Sequence, residues 1–230
     1  MAIVNECICA DCDLELVDDE RLFYYDSDSE QTIDYLLLMS TVGWGDTSRI
    51  RGKVTETYCS RCDKHIRIYS IREIIGEVEN PCSIIEKGIA RRISNHLERL
   101  NELNEIKKRE KYELIQKENH YGVIFPDFEN LHFSYSYFPQ MTKEDVIEDA
   151  LKSFHEEIDG ELESLTEKYK RAEKALSLII DERDRPYDDD DALEKISCPE
   201  CGSKISKNIN YTECPRCGGN NLMYSTICYD

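Results

Sequence analysis

Eight of the eleven cysteines in this chain fall into four C-x-x-C pairs: Cys9/Cys12, Cys59/Cys62, Cys198/Cys201 and Cys214/Cys217. A C-x-x-C turn offers two sulfurs toward one point, and two such turns supply the four ligands of a tetrahedral ion. Glycine after the second cysteine eases the turn because it takes left-handed backbone at little cost. Gly202 and Gly218 stand at that position in the last two pairs. Asp13 and Asp63 stand there in the first two, and Asp is among the residues that tolerate the same conformation. Cys7, Cys82 and Cys228 lie outside the pairs.

What such an ion can do depends on its shell. A catalytic zinc keeps three protein ligands and an open position for water, whereas four thiolates close the shell and lower the ion's Lewis acidity. Other catalytic patterns are missing: there is no G-x-x-x-x-G-K-[ST] loop, no G-x-G-x-x-G and no G-x-S-x-G elbow. His96-Leu97-Glu98 matches the short deaminase pattern, but it sits in a charged helical stretch without a spare P-C-x-x-C partner. The chain therefore reads as a non-enzyme with structural metal sites.

The stretch CPECGSKISKNINYTECPRCGG, 198–219, resembles the zinc ribbon family: two CPxCG knuckles whose cysteine pairs are separated by 12 residues. That resemblance implies a small antiparallel β module with a structural Zn²⁺ on Cys198, Cys201, Cys214 and Cys217. The N-terminal pairs are separated by 46 residues, a long insertion for a ribbon. GKVTETYCSRCDKHIRIYSI, 52–71, nevertheless looks like a strand entering a knuckle and a strand leaving it. A second zinc is expected on Cys9, Cys12, Cys59 and Cys62, with Cys7 or His65 as competing ligands. Iron is the rival metal, because rubredoxins, which transfer one electron, hold Fe(Cys)₄ on two similar knuckles.

Two helices are expected to separate these modules. SIIEKGIARRISNHLERLNELNEIKKREKYELIQKE, 83–118, spaces Ile85, Ile89, Ile93, Leu97, Leu100 and Leu103 by threes and fours. A more regular stripe runs from Leu151 through Phe154, Ile158, Leu162, Leu165, Tyr169, Ala172 and Leu176 to Ile179, close to a heptad seam. Thr142 and Asp145 form a capping-box pattern ahead of it. The two are expected to pair as a long antiparallel, coiled-coil-like hairpin. HYGVIFPDFENLHFSYSYFPQM, 120–141, holds four of the six phenylalanines and alternates with a strand period, so it reads as an aromatic β insert at the tip. The expected fold class is α+β, divided into a zinc-ribbon-like domain (1–78), the helical hairpin (79–182), an acidic linker (183–195) and a C-terminal ribbon (196–230). The glycine-flanked Trp44 reads as a packed turn.

Charge bears on partners. The formal net charge is −19, with 48 acids against 29 bases, and a surface of that sign repels nucleic-acid backbone at long range. No apolar run approaches a membrane span, and the start lacks the basic and long apolar segments of a signal peptide, so a cytoplasmic protein is expected. Reduced thiols there favour metal over disulfides. The leading reading is a zinc-binding adaptor that meets a protein partner, with the seam able to serve a homodimer. The alternative is nucleic-acid binding by a local basic patch: Arg61, Lys64 and Arg67, with Arg49, Arg51 and Lys53 near by, and Lys204, Lys207 and Arg216 with Tyr211 on the C-terminal ribbon.

Overall fold

The computed structural model describes residues 2–19, 21–36, 48–117, 120–128, 131–136, 142–184, 195–206 and 211–229. The Trp44 turn, Lys207 and most of the acidic linker lie outside these residues. The order of elements is β1 (Ala2–Cys9), β2 (Glu15–Asp19), β3 (Arg21–Asp26), β4 (Gln31–Leu36), β5 (Ser48–Cys59), β6 (Lys64–Ile74), α1 (Pro81–Arg109), β7 (Glu113–Lys117), β8 (His120–Phe125), β9 (Leu131–Ser136), α2 (Lys143–Lys174), β10 (Leu176–Asp181), β11 (Lys195–Ser197), β12 (Lys204–Ser206) and β13 (Leu222–Tyr229). The chain divides into two compact units, Met1–Ile93 with Ala172–Asp230, and Ser94–Arg171.

The first unit is built on strands. Its five-stranded sheet has the order β10-β6-β5-β3-β4, and β6 is covered on both faces. Alternation along β6 sends Tyr69 and Ile71 to one side, where Phe23, Ile50, Val54 and the α1 residues Ile85 and Ile89 bury them. Ile66 and Ile68 face the other way and pack with Ile196 and Ile205 of the short β11–β12 hairpin. Gly88 lets α1 lie close on the sheet, since a Cβ there would stand 2.4 Å from Thr32 Oγ1. Thr32 in turn donates to the Ile85 carbonyl at 3.1 Å. On the same side a largely buried charge network holds β4, β5, β6 and α1 together. Arg67 donates to Glu56 at 2.8 Å and pairs with Asp34 at 3.3 Å, and Arg92 meets Asp34 at 2.7 Å. A second sheet, β13-β1-β2, pairs the two ends of the chain in antiparallel register from Ala2↔Tyr229 to Cys9↔Leu222.

The second unit carries the three-stranded sheet β7-β8-β9. Its core joins Val123, Phe125 and Phe128 to Leu103 and Ile106 of α1 and to Val146, Ala150, Phe154 and Ile158 of α2. Phe125 stacks on Phe154 with ring centroids 4.2 Å apart. The capping box before α2 forms reciprocally: the Thr142 amide donates to Asp145 Oδ2 at 2.8 Å, and the Asp145 amide donates to Thr142 Oγ1 at 3.1 Å.

The expected fold class is overturned. The described residues contain thirteen strands in four sheets and two helices, and no long coiled-coil-like hairpin flanked by two small ribbons. The α1 stripe is divided between the two units: Ile85 and Ile89 cover the five-stranded sheet, while Leu103 and Ile106 join the β7–β9 core. The α2 stripe also ends earlier than its period suggests. Leu176 to Asp181 is a strand that adds parallel to β6, with Leu178 and Ile180 packing beside Ile66 and Ile68. Likewise Glu113–Lys117, read as the end of a helix, is the strand β7. Short runs of apolar residues fit either period, and the available sheet edge decides between them.

Candidate metal centres

Four knuckles come together in two groups of four sulfurs, but not in the pairing that sequence order suggests. Cys9 and Cys12 meet Cys214 and Cys217; Cys59 and Cys62 meet Cys198 and Cys201. The first pair of the chain thus joins the last, and the second joins the third. The groupings expected from the ribbon resemblance, Cys198/Cys201/Cys214/Cys217 and Cys9/Cys12/Cys59/Cys62, are corrected accordingly.

Strand pairing explains this nesting. β13 runs back along β1 until Leu222 faces Cys9, which brings the Cys214–Cys217 turn beside the Cys9–Cys12 turn. In the inner site the β5–β6 hairpin closes with Cys59↔Lys64 in register, and the β11–β12 hairpin closes with Ser197↔Lys204. Each hairpin carries one knuckle at its turn. The 12-residue spacer after Cys201 therefore leads from the inner site to the outer one rather than folding back on itself.

Local geometry follows the knuckle chemistry. The residues after the second cysteines all take positive φ: Asp13 at 54°, Asp63 at 55°, Gly202 at 70° and Gly218 at 72°. Each of these turns but the Cys59 one is also closed by an amide-to-carbonyl bond of 2.9 Å, from Asp13 to Cys9, Gly202 to Cys198 and Gly218 to Cys214. Backbone amides of Arg216 and Gly219 donate to the sulfurs of Cys214 and Cys217 at 3.4 Å.

The sulfur spacing fits a tetrahedral ion. Zinc–sulfur bonds of about 2.3 Å place the corners of a tetrahedron about 3.8 Å apart. Sulfur separations are 3.6 Å for Cys9–Cys217 and Cys12–Cys214, 3.6 Å for Cys59–Cys201 and 3.8 Å for Cys62–Cys198. Two four-cysteine groups of these dimensions could each hold a metal ion such as zinc. Cys7 is buried beside the outer group but is not one of its four, and His65 lies edge-on to Tyr58 instead of joining the inner group. Cys82 is half-buried on α1, and the side chain of Cys228 lies outside the described residues.

Electrostatics within each group are uneven. Ser203 Oγ lies 3.2 Å from Cys59 Sγ and 3.0 Å from Cys201 Sγ. Its hydroxyl and amide hold the Cys201 thiol down to about 6. Burial pushes Cys214 up, but amides of Cys217 and Arg216 outweigh it and bring that thiol to about 7. Burial raises Cys12 to about 12, and hydrogen bonding to Cys201 raises Cys62. Each group thus sets a lowered thiol beside a raised one, Cys214 beside Cys12 and Cys201 beside Cys62.

Contacts between knuckles join the two groups. Arg216 Nε donates to Asp63 Oδ1 at 3.1 Å, and Tyr58 donates its hydroxyl to the same carboxylate, which lowers the Asp63 carboxyl. Thr57 Oγ1 donates to the Ser206 carbonyl at 2.5 Å and meets the Tyr211 hydroxyl at 2.8 Å. At Gly219 a Cβ would stand 2.1 Å from Asp11 Oδ2 and 3.2 Å from Cys217 Sγ, so the Asp11 carboxylate lies close over this glycine. Ser203, Thr57, Asp63 and Gly219 were not singled out by sequence for these contacts; the GS and GG that follow the C-terminal knuckles are the only local hints.

The basic residues considered for nucleic acid are mostly engaged. Arg67 is buried in the network described above. Lys64 pairs with Glu200 at 2.6 Å, Arg51 with Glu73 at 3.6 Å, and Lys204 donates to Ser197 Oγ at 3.0 Å. Arg49 and Arg61 are exposed. No helix among the described residues is long and apolar enough to cross a membrane. No protein-family model, curated protein or solved structure matches the chain.

Proposed function

We propose that the chain is a non-enzymatic zinc-binding adaptor, in which two structural Zn(Cys)₄ sites clasp the ends of the chain and present the remaining surface to a protein partner. The observation that supports this most is the nested pairing of the cysteines. Each proposed ion has four thiolate ligands and no open position, and each joins segments more than 130 residues apart in sequence. Such ions contribute folding energy rather than reaction chemistry.

In the outer site Cys9, Cys12, Cys214 and Cys217 would hold the ion, and in the inner site Cys59, Cys62, Cys198 and Cys201. The bound metal supplies charge neutralisation for four thiolates and fixes the knuckles in place. The protein orients the sulfurs through the positive-φ turns and stabilises them with the amides of Arg216 and Gly219 and the Ser203 hydroxyl. Seam-mediated homodimerisation loses support, because Phe154 and Ile158 of the seam are buried within their own unit and Leu151, Leu162 and Leu165 pack against the same core. Nucleic-acid binding also loses support where Arg67, Lys64 and Arg216 are paired with carboxylates.

Metal analysis joined to partner capture tests the reading. Native protein should carry two zinc ions per chain and form an equimolar complex with one protein, lost when a chelator strips the metal. Colour and iron content would favour the electron carrier instead. Retention of RNA or DNA at low salt, weakened in Arg61→Glu/Lys64→Glu with a flatter salt dependence, would favour the nucleic-acid reading.

A further inference from the structure

The second unit has a groove that the metal sites do not explain. Its cavity of about 650 Å³ is lined by Phe128, Leu131 and Phe133 on one wall and by Ser153, Glu156, Glu157, Gly160 and Glu161 on the other. Phe128 is buried edge-on to Phe154 at 5.7 Å, and the α2 residues recur at helical spacing along one face. The apolar part of the groove is therefore Leu131 and Phe133 over a buried Phe128, and the rim is acidic.

Gly160 is the unexpected residue in this wall. It lies inside the 32-residue helix α2, where glycine is unfavourable relative to alanine. Gly88 in α1 has a packing reason, since a Cβ would collide with Thr32; at Gly160 a Cβ would meet nothing within 4 Å. Its own fold does not require glycine here, and its absence of a side chain leaves the helix backbone open to close approach from the groove. Of the three carboxylates, Glu161 already binds Arg99 at 3.1 Å, whereas Glu156 and Glu157 are exposed.

Resting on the adaptor reading, we propose that this groove is the docking site for a basic, amphipathic helix of the partner protein. Its apolar side would seat on the partly exposed Leu131 and Phe133, above the buried Phe128, and pass close over Gly160, while lysines or arginines meet Glu156 and Glu157. Charge complementarity selects this occupant, because an acidic rim disfavours acidic segments, nucleic acid and anionic lipid surfaces alike.

The test is fluorescence anisotropy with the full zinc-loaded chain and a labelled helical peptide carrying leucines on one face and arginines on the other. A scrambled peptide of equal charge serves as the control. Saturable binding is expected, stronger than for the scrambled peptide. Gly160→Leu should weaken it roughly tenfold by filling the groove without changing charge. Glu156→Gln with Glu157→Gln should weaken it and flatten its salt dependence, while Glu163→Gln with Glu167→Gln, which do not line the groove, should leave it nearly unchanged. Binding that is absent, equal for both peptides, or equal in Gly160→Leu would overturn the proposal. Loss of the groove with an equimolar partner complex intact would spare the adaptor reading; peptide binding without any such complex would do the reverse.

Discussion

Replacing Cys62 by serine removes one sulfur of the inner group, and its consequences depend on how the knuckles are paired. With nested pairing the zinc-loaded variant should expose Cys59, Cys198 and Cys201 to alkylation, while Cys9, Cys12, Cys214 and Cys217 stay protected. The outer site should also weaken. Cys12 and Cys214 are 202 residues apart, and a closed inner site shortens the chain path between them to about 60 residues. Counting chain closure alone, opening the inner site costs the outer one about 1 kcal/mol, or about sixfold in zinc affinity. The assay is alkylation of the zinc-loaded protein read by peptide mass spectrometry, with competition against a chromophoric chelator for affinity. Labelling of Cys9, Cys12 and Cys59 with Cys198 and Cys201 protected would refute the nested arrangement. Unchanged outer-site affinity would refute the coupling.

Arg67→Ala leaves the buried Glu56 without its cation, while Asp34 keeps Arg92, and should destabilise the first unit by about 3 kcal/mol in urea unfolding; a loss below about 1 kcal/mol would mean the network is dispensable. Gly160→Ala should stabilise the chain by about 1 kcal/mol, because the added methyl meets no neighbour; a lower unfolding midpoint would show that the helix there is packed differently. In metal-free protein the thiols of Cys201 and Cys214 lie at about 6 and about 7, below the ordinary thiol value. Their contribution to stability is therefore present above that value and lost as pH falls through about 7 and then about 6, whereas the raised Cys12 acts only at more alkaline pH. The metal-free urea midpoint should be lower at about pH 5.5 than at about pH 8, and an equal or higher midpoint at the acid pH would contradict the assignment.

Much of the candidate site was legible from residue types. The C-x-x-C spacing identified all eight sulfurs, and the tolerance of Asp for left-handed backbone anticipated Asp13 and Asp63 at φ near those of Gly202 and Gly218. Which knuckle meets which was not legible, since short loops favour neighbours and nothing in CPECG or CPRCG reveals that β13 returns to β1. Periodicity placed most of both helices and the β8–β9 alternation. It failed where a helical stripe ran into Leu176–Asp181, because leucines and isoleucines satisfy a strand equally well once β6 offers an edge. The hairpin expectation failed for a related reason: a stripe marks what must be buried, not which element buries it. Ile85 and Ile89 found a sheet, and Phe154 found Phe125 and Phe128.

The nested clasp can be tested by cutting the chain. A protease site inserted between Asp189 and Asp190 lets the chain be cleaved after folding with zinc. The C-terminal fragment then carries Cys198, Cys201, Cys214 and Cys217, and the larger fragment carries Cys9, Cys12, Cys59 and Cys62. Nested sites draw two sulfurs from each fragment for each ion. The cleaved protein should therefore run as one species in size-exclusion chromatography with two zinc ions, and separate when a chelator removes them. Fragments that part while each retains its own zinc would contradict the account.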